Sequence, residues 1–365
     1  MAAPADSRRP RSHAERRSTR SHQGRPPSLR LTKRRPLCTT REGGAARCEK
    51  EPRRLRRLNG EMSHAVLVAA TLTAGALEGV GNFRPVSPYL PGLYRSAGLE
   101  KASAADVATL LDGARIRTIV DLRNEDEIEN AAQQASGYGC ALRDLFDSAA
   151  PVGAGCVASE GSGTLQRVHI PLLGDTDAFL DEVAARLSPA RKAQAAAFRT
   201  FDGKKYDRLL YDEIARNKQL GLYTVMLKTG KAEIGRALEL VAERRAAGAV
   251  LFHCAQGKDR TGVLAALLEH VAGVDEAQIV ESYAASEALM QQHAARVGEA
   301  DDSGRNARDG VDWSALKGSP PDALVETLAW IRREHGSIDG YLSEAVPGDA
   351  EAWRRKLLNA VRFRA

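Results

Sequence analysis

The chain lacks most of the features that would assign it to a class by inspection. Of its 365 residues only five are cysteines, at positions 38, 48, 140, 156 and 254. The number is odd, no CxxC pair occurs and no metal-ligand spacing is present, so neither a disulfide framework nor a zinc site is expected, and the thiols read as reduced. Long apolar runs are missing too. The longest, near Ala65 to Leu77, is broken by Thr71, Thr73 and Gly75, whereas a bilayer-spanning helix needs about 20 apolar residues. No internal repeat is visible. A basic body is also missing, despite a formal net charge of +6. Residues 1–60 hold 18 Lys and Arg against 5 Asp and Glu, a net of +13, and the rest hold 35 against 42, a net of −7. The basic character belongs to the leading segment, and overall charge gives no ground for a nucleic-acid partner.

That leader, residues 1–61, is rich in Arg, Ser, Pro and Gly and shows no hydrophobic periodicity. It cannot bury enough surface to offset its ordering entropy and is expected to be disordered, leaving residues 62–365 as one folded domain. Its arginines fit an organellar transit peptide, while Glu15, Glu42, Glu49 and Glu51 fit better a chain whose start is Met62. The expected location is cytoplasmic, with an organelle as the alternative.

Short strands alternate with helices through the body. Leu93–Ser96, Ile116–Leu122, Val168–Leu172 and the apolar run from Ala249 read as strands. Ser103 is placed to cap a helix carrying Val107, Leu110 and Leu111, and residues 125–132 read as helical. Residues 136–163 read as a flexible insertion, and 175–245 as almost wholly helical. Ile234, Ala237, Leu238 and Val241 fall at i, i+3, i+4, i+7. Pro320 and Pro321 open a later helix with Leu324, Leu328 and Ile331 inside, and a last helix buries Trp353 and Leu357. The pattern implies an α/β fold with a small, mostly parallel central sheet flanked by helices.

One stretch concentrates the chemistry. The strand at Ala249 ends in His253 and Cys254, a polar loop follows, and Val263, Leu264, Leu267, Leu268 and Val271 recur at helical spacing. Cys254 therefore starts a loop that closes at a helix N-terminus beside Lys258 and Arg260, each of which favours the thiolate. The inward N–H groups of Ala255, Gln256, Gly257 and Lys258 form an anion nest. Arg260 adds a planar fork that matches two phosphoryl oxygens, and Gly257 and Gly262 let the backbone curl tightly. Thr261 can donate its hydroxyl to the sulfur when the sulfur leaves. The chemistry these residues can perform is attack of Cys254 on a phosphoryl group, followed by hydrolysis of the thiophosphate. It requires no metal or other cofactor.

Other readings of the loop fare worse. A nucleotide-binding loop needs Gly-Lys-Ser/Thr, and here Gly257-Lys258 is followed by Asp259 with Phe at position 252. A sulfurtransferase loop also presents a cysteine but is shorter and lacks the Gly-Lys-Asp-Arg-Thr run. A catalytically silent phosphate-binding module would have no need to retain Cys254 with Arg260.

His253-Cys-Ala-Gln-Gly-Lys-Asp-Arg-Thr-Gly262 resembles the Cys-x5-Arg-Ser/Thr signature of cysteine-dependent protein-tyrosine phosphatases. Its Gly-Lys-Asp-Arg-Thr form is similar to the atypical tyrosine/dual-specificity branch, which includes a secreted mycobacterial phosphatase and bacterial lipid phosphatases. Asn82-Phe-Arg84, Leu93-Tyr-Arg95-Ser96, Asp121-Leu-Arg123 and His335-Gly-Ser-Ile-Asp-Gly-Tyr-Leu342 match further motifs of that branch. Pro85 stands where the branch has an acidic residue, and 136–163 is not part of its pattern. The resemblance implies a cysteine-phosphatase-like fold with an inserted helical lid at about 175–228. It implies hydrolysis of phosphotyrosine, with phosphoserine and phosphothreonine as further substrates and a phosphoinositide as the alternative.

For the general acid, the resemblance favours Asp121 or Asp259, while Asp175 and Asp177 read equally well as helix caps. His253 is expected to orient the loop through a backbone bond. Arg95 is expected to brace it, and Arg84 to touch substrate or brace. Lys258 supplies an extra cation suited to highly charged phosphates.

Overall fold

The computed structural model describes residues 77–128, 165–298, 311–346 and 348–362. The expected leader, the expected insertion and the second half of the helix expected at 125–132 lie outside these residues; residues 125–128 are helical. The elements, in chain order, are β1 (Arg84–Pro85), β2 (Leu93–Ser96), α1 (Ala104–Ala108, running into a π-helical turn at Thr109–Gly113), β3 (Ile116–Asp121), β4 (Gln166–His169), α2 (Thr176–Ala185), α3 (Pro189–Phe201), α4 (Gly203–Arg216), α5 (Lys218–Thr229) and α6 (Lys231–Ala247). They continue with β5 (Ala249–His253), α7 (Arg260–Val271), α8 (Glu276–Val297), a 3-10 turn at Ser314–Leu316, α9 (Pro321–His335), α10 (Ile338–Ala345) and α11 (Ala350–Arg362).

The five strands form one sheet in the order β1-β2-β5-β3-β4, parallel except for the β1–β2 pair. β5 is central, which explains its composition: a parallel strand covered on both faces is apolar throughout, and every residue of β5 is buried. Side chains alternate across the sheet. Val250 and Phe252 join the larger core with α6, α7, α9 and α10, while Ala249 and Leu251 join a smaller core with Ile116, Ile119, Val107 and Leu110. Ser103 closes a capping box with Asp106, which starts α1 as its sequence suggests.

Helices α2 to α5 build a third apolar cluster of their own around Phe179, Leu209, Leu210, Ile214 and Val225, joined by Leu316. Asp175 caps α2 by accepting from the Ala178 amide at 2.9 Å. β4 forms at Gln166–His169 instead of Val168–Leu172, because pairing with β3 runs from Thr118↔Gln166 to Asp121↔His169. Beyond it two backbone bonds, Ile170 N to Asp121 O at 2.9 Å and Leu172 N to Leu122 O at 3.2 Å, follow the end of β3 without extending the strand. No helix among the described residues is long and apolar enough to cross a membrane.

Candidate active site

β3 and β5 end side by side, with Asp121 opposite His253. At this carboxyl edge, where open α/β sheets place their ligands, the chain leaves β5 and enters the loop. Cys254 lies at its base, 1% exposed. The loop's carbonyls are drawn outward. Ala255 O accepts from Gly98 N at 2.9 Å, Gln256 O from Asn82 Nδ2 at 3.1 Å, and Gly257 O from Asn82 Nδ2 at 2.9 Å and Arg95 Nη2 at 2.7 Å. Because C=O and N–H point oppositely across a trans peptide, the next three amides, of Gln256, Gly257 and Lys258, turn to the loop's interior. Gly257 has φ +68°, and a Cβ there would sit 2.3 Å from Ser96 O, so both backbone conformation and space require glycine. Arg260 opens α7, whose first turn adds further inward amides.

A second layer fixes this cradle. Arg84 and Arg95 are buried behind it. Arg84 donates to Ser282 O and Ser286 Oγ, both at 2.9 Å, and to Asn82 Oδ1. Arg84, expected at substrate or as a brace, thus spends its guanidinium on the scaffold, as Arg95 does on Gly257. Burial holds both guanidinium groups below the usual arginine range. Burial also pushes the nearby Glu269 carboxyl up to about 8, against the pull of Arg95, Ser282 and Arg84. His253 donates from Nδ1 to Cys254 O at 3.3 Å, and its Nε2 lies 4.0 Å from Asp121. Burial lowers its pKa to about 4 despite that carboxylate, so the ring is neutral at physiological pH.

The two candidate acids sit in different surroundings. Asp121 is fully buried and gripped by Arg123, with Nε to Oδ1 at 3.0 Å and Nη2 to Oδ2 at 2.9 Å. Arg167 lies 3.5 Å from the same Oδ2, and Arg123 also reaches Glu100. Asp259, at the head of α7, lines an open cavity of about 570 Å³ together with Arg260. Its Oδ1 accepts from Tyr223 Oη at 2.7 Å and Lys258 Nζ at 2.9 Å. Tyr223 in turn meets Tyr283 at 2.8 Å. The second bond of Lys258 Nζ goes to Leu316 O at 2.9 Å. The lysine expected to meet phosphate is therefore 3% exposed and turned into the protein.

Two functional features escape a reading of the sequence. Glu127, in the helical turn after β3, pairs end-on with Arg260: Nη2 to Oε1 is 2.7 Å, and Nη1 meets Oε2. Burial alone would lower the Arg260 pKa, but Glu127, with lesser attraction from Cys254 and Asp259, more than cancels this and raises it. Both terminal nitrogens point to Glu127, and the guanidinium's Nε edge supplies a further donor pair in the same plane. The other feature is Tyr223, on α5 of the helical block. Thr261 Oγ1 is buried beside the loop with no protein hydrogen-bond partner. Among the described residues no group of three or more His, Cys, Asp or Glu side chains is placed to hold a metal ion.

A mostly parallel α/β sheet whose central strand leads into a buried thiol, followed by a loop with inward amides and an arginine at the head of the next helix, is an arrangement suited to holding an anion. The chain belongs to the tyrosine phosphatase family, whose sequence pattern matches residues 76–359. It is also similar to a tyrosine-protein phosphatase from Nostoc commune, 34% identical over an alignment of 119 residues that covers 30% of this chain. The match spans 38% of that relative's length.

Proposed function

We propose that this protein hydrolyses phosphotyrosine through a cysteinyl-phosphate intermediate on Cys254. What supports the reading is the loop itself: a buried thiol at the end of β5, carbonyls bonded outward so that the following amides turn inward, and Arg260 at the head of α7 all fall within seven positions. The amides of Ala255 to Asp259 and the Arg260 guanidinium hold the three non-bridging oxygens. Cys254 Sγ, as thiolate, forms the S–P bond while the P–O bond to the tyrosine breaks, and the leaving oxygen takes a proton from a carboxylic acid. Water then attacks phosphorus, returning a proton to that carboxylate, and the P–S bond breaks to restore the thiolate. Thr261, with its hydroxyl buried and unpartnered in the protein, donates to the departing sulfur.

Asp259 is the acid in this account, because it shares the cavity with Arg260 while Asp121 is sealed behind Arg123. Tyr223 and Lys258 hold the Asp259 carboxyl at the cavity wall. Asp121 keeps Arg123 and His253 in place and acts as a positioning residue. Helices α2 to α5 form the lid over the loop. Phosphate release from a panel of phosphotyrosine, phosphoserine and phosphothreonine peptides, with Cys254→Ser as control, tests the reading. No release by the unmodified chain would refute it, and sulfur transfer from thiosulfate would replace it with a different chemistry. Aryl phosphates of differing leaving-group pKa test the acid: Asp259→Asn steepens the dependence and Asp121→Asn does not.

A further inference from the structure

The cavity beside Arg260 is larger than one phosphorylated phenol requires, and its wall mixes acidic with large apolar side chains. Its volume, about 570 Å³, falls among sites that take drug-sized ligands. Leu180, Tyr211, Leu222, Met226, Trp313 and Leu316 line it, drawn from α2, α4, α5 and the segment around the 3-10 turn. Leu180, Tyr211, Leu222 and Trp313 are only partly buried, so they offer apolar surface to whatever enters.

Among the described lining residues of the same wall, acids outnumber cations. Asp126, Glu127 and Asp259 line it, and Arg260 is the one Lys or Arg among its described lining residues. That arginine is already paired with Glu127, and Lys258, the loop's other cation, is committed to Asp259 and the Leu316 carbonyl. Asp259, protonated as the acid, adds no charge, but a substrate bringing a second phosphate, or carboxylates next to its phosphotyrosine, meets Asp126 and Glu127, while Arg260 is occupied by Glu127 and the first phosphate.

We propose that this chamber makes the enzyme selective for phosphotyrosine flanked by large apolar residues, and that it discriminates against acidic flanks and multiply phosphorylated substrates. The proposal rests on the phosphotyrosine reading above and names its preferred substrate class. Binding in the cradle fixes the phosphate, the tyrosine ring rises past Arg260, and an adjacent Leu or Phe side chain settles against Leu180, Leu222 and Trp313. The gain is that of burying one apolar side chain, and the loss on an acidic flank is electrostatic.

The test compares kcat/KM of the full-length chain on three phosphotyrosine peptides: one flanked by Leu and Phe, one flanked by Asp and Glu, and one carrying a neighbouring phosphoserine. A soluble inositol polyphosphate is a fourth substrate. The apolar peptide is expected to lead the acidic one by about tenfold or more, with the doubly phosphorylated peptide and the inositol polyphosphate below both. Leu180→Lys and Leu222→Lys, checked for folding by thermal melting, should each shrink the apolar-to-acidic ratio severalfold by placing a cation in the wall. Equal rates on the three peptides, a lead for the acidic peptide or the inositol polyphosphate, or a ratio unmoved by both folded lysine variants would overturn the chamber's role while leaving phosphotyrosine hydrolysis standing. Hydrolysis of none of the peptides would remove both.

Discussion

Glu127→Gln separates two roles that a carboxylate facing the loop arginine can have. In one, Glu127 holds the guanidinium in the plane that receives phosphate. In the other, it competes with phosphate for the same donors. The end-on contact through the two terminal nitrogens favours the first, because it leaves the donors of the Nε edge for phosphate. Glutamine keeps the shape and one acceptor but loses the charge and one of the two charge-assisted bonds. Such a bond contributes about 1.5–3 kcal/mol when buried. The Glu127 side chain is 28% exposed and that of Arg260 only 6%, so screening on the glutamate side reduces this to about 1–2 kcal/mol. The expected loss is therefore about 5- to 30-fold in kcat/KM for an aryl phosphate. Initial rates at fixed ionic strength, with thermal melting to confirm folding, provide the assay. Unchanged or increased kcat/KM in a folded Glu127→Gln protein would refute the positioning role and make Glu127 a competitor for phosphate.

Three further predictions concern the groups behind the loop. Tyr223→Phe removes one of the donors to Asp259 Oδ1 and is expected to lower kcat about tenfold on poor leaving groups. It should have little effect on good ones, and an equal loss on both would argue against Asp259 as the acid. Asp121→Asn leaves Arg123 and Arg167 facing a neutral amide in a buried site, so it should cost about 3 kcal/mol of stability, visible as a lower urea midpoint; an unshifted midpoint would contradict its structural role. His253 contributes a pH dependence whose sign is fixed. Its folded pKa of about 4 lies below the ordinary 6.5, so its contribution is full above the unfolded value and is lost as pH falls toward the folded one. Between about pH 7.5 and about pH 5 that loss is about 2 kcal/mol, and His253→Gln should lack it. Wild type and variant falling in parallel would disprove the assignment. Glu269, raised from 4.5 to about 8, gives a slope of the opposite sign, stabilising below the lower value and lost as pH rises through the upper one, so the comparison must be between these two proteins.

The loop was legible in the sequence because its chemistry is local: a strand, a thiol, glycines and an arginine within ten positions. β2 and β5 were legible because their apolar runs end where the sheet ends. β4 was not, since its register is set by pairing with β3 and its own residues are only half-buried. Glu127 lies 133 positions from its partner, and the one available signal was an acid soon after a strand that ends at the same sheet edge. Tyr223 reads as a core aromatic on any helical wheel, and its hydroxyl matters only because Asp259 stands opposite. Lys258 shows the limit from the other side. Sequence places a cation in the loop, but a carbonyl 58 positions away decides where that cation points.

The central claim is that the phosphoryl group passes through Cys254. Rapid mixing of enzyme with an excess of an aryl phosphate, followed by quenching and peptide mass spectrometry, addresses it directly, with Asp259→Asn used to slow turnover if the intermediate is short-lived. The expected result is a phosphoryl group on the peptide containing Cys254, formed with about one equivalent of released phenol and absent in Cys254→Ser. Steady phosphate release at an undiminished rate by Cys254→Ser, or phosphoryl transfer to a different side chain, would contradict the account.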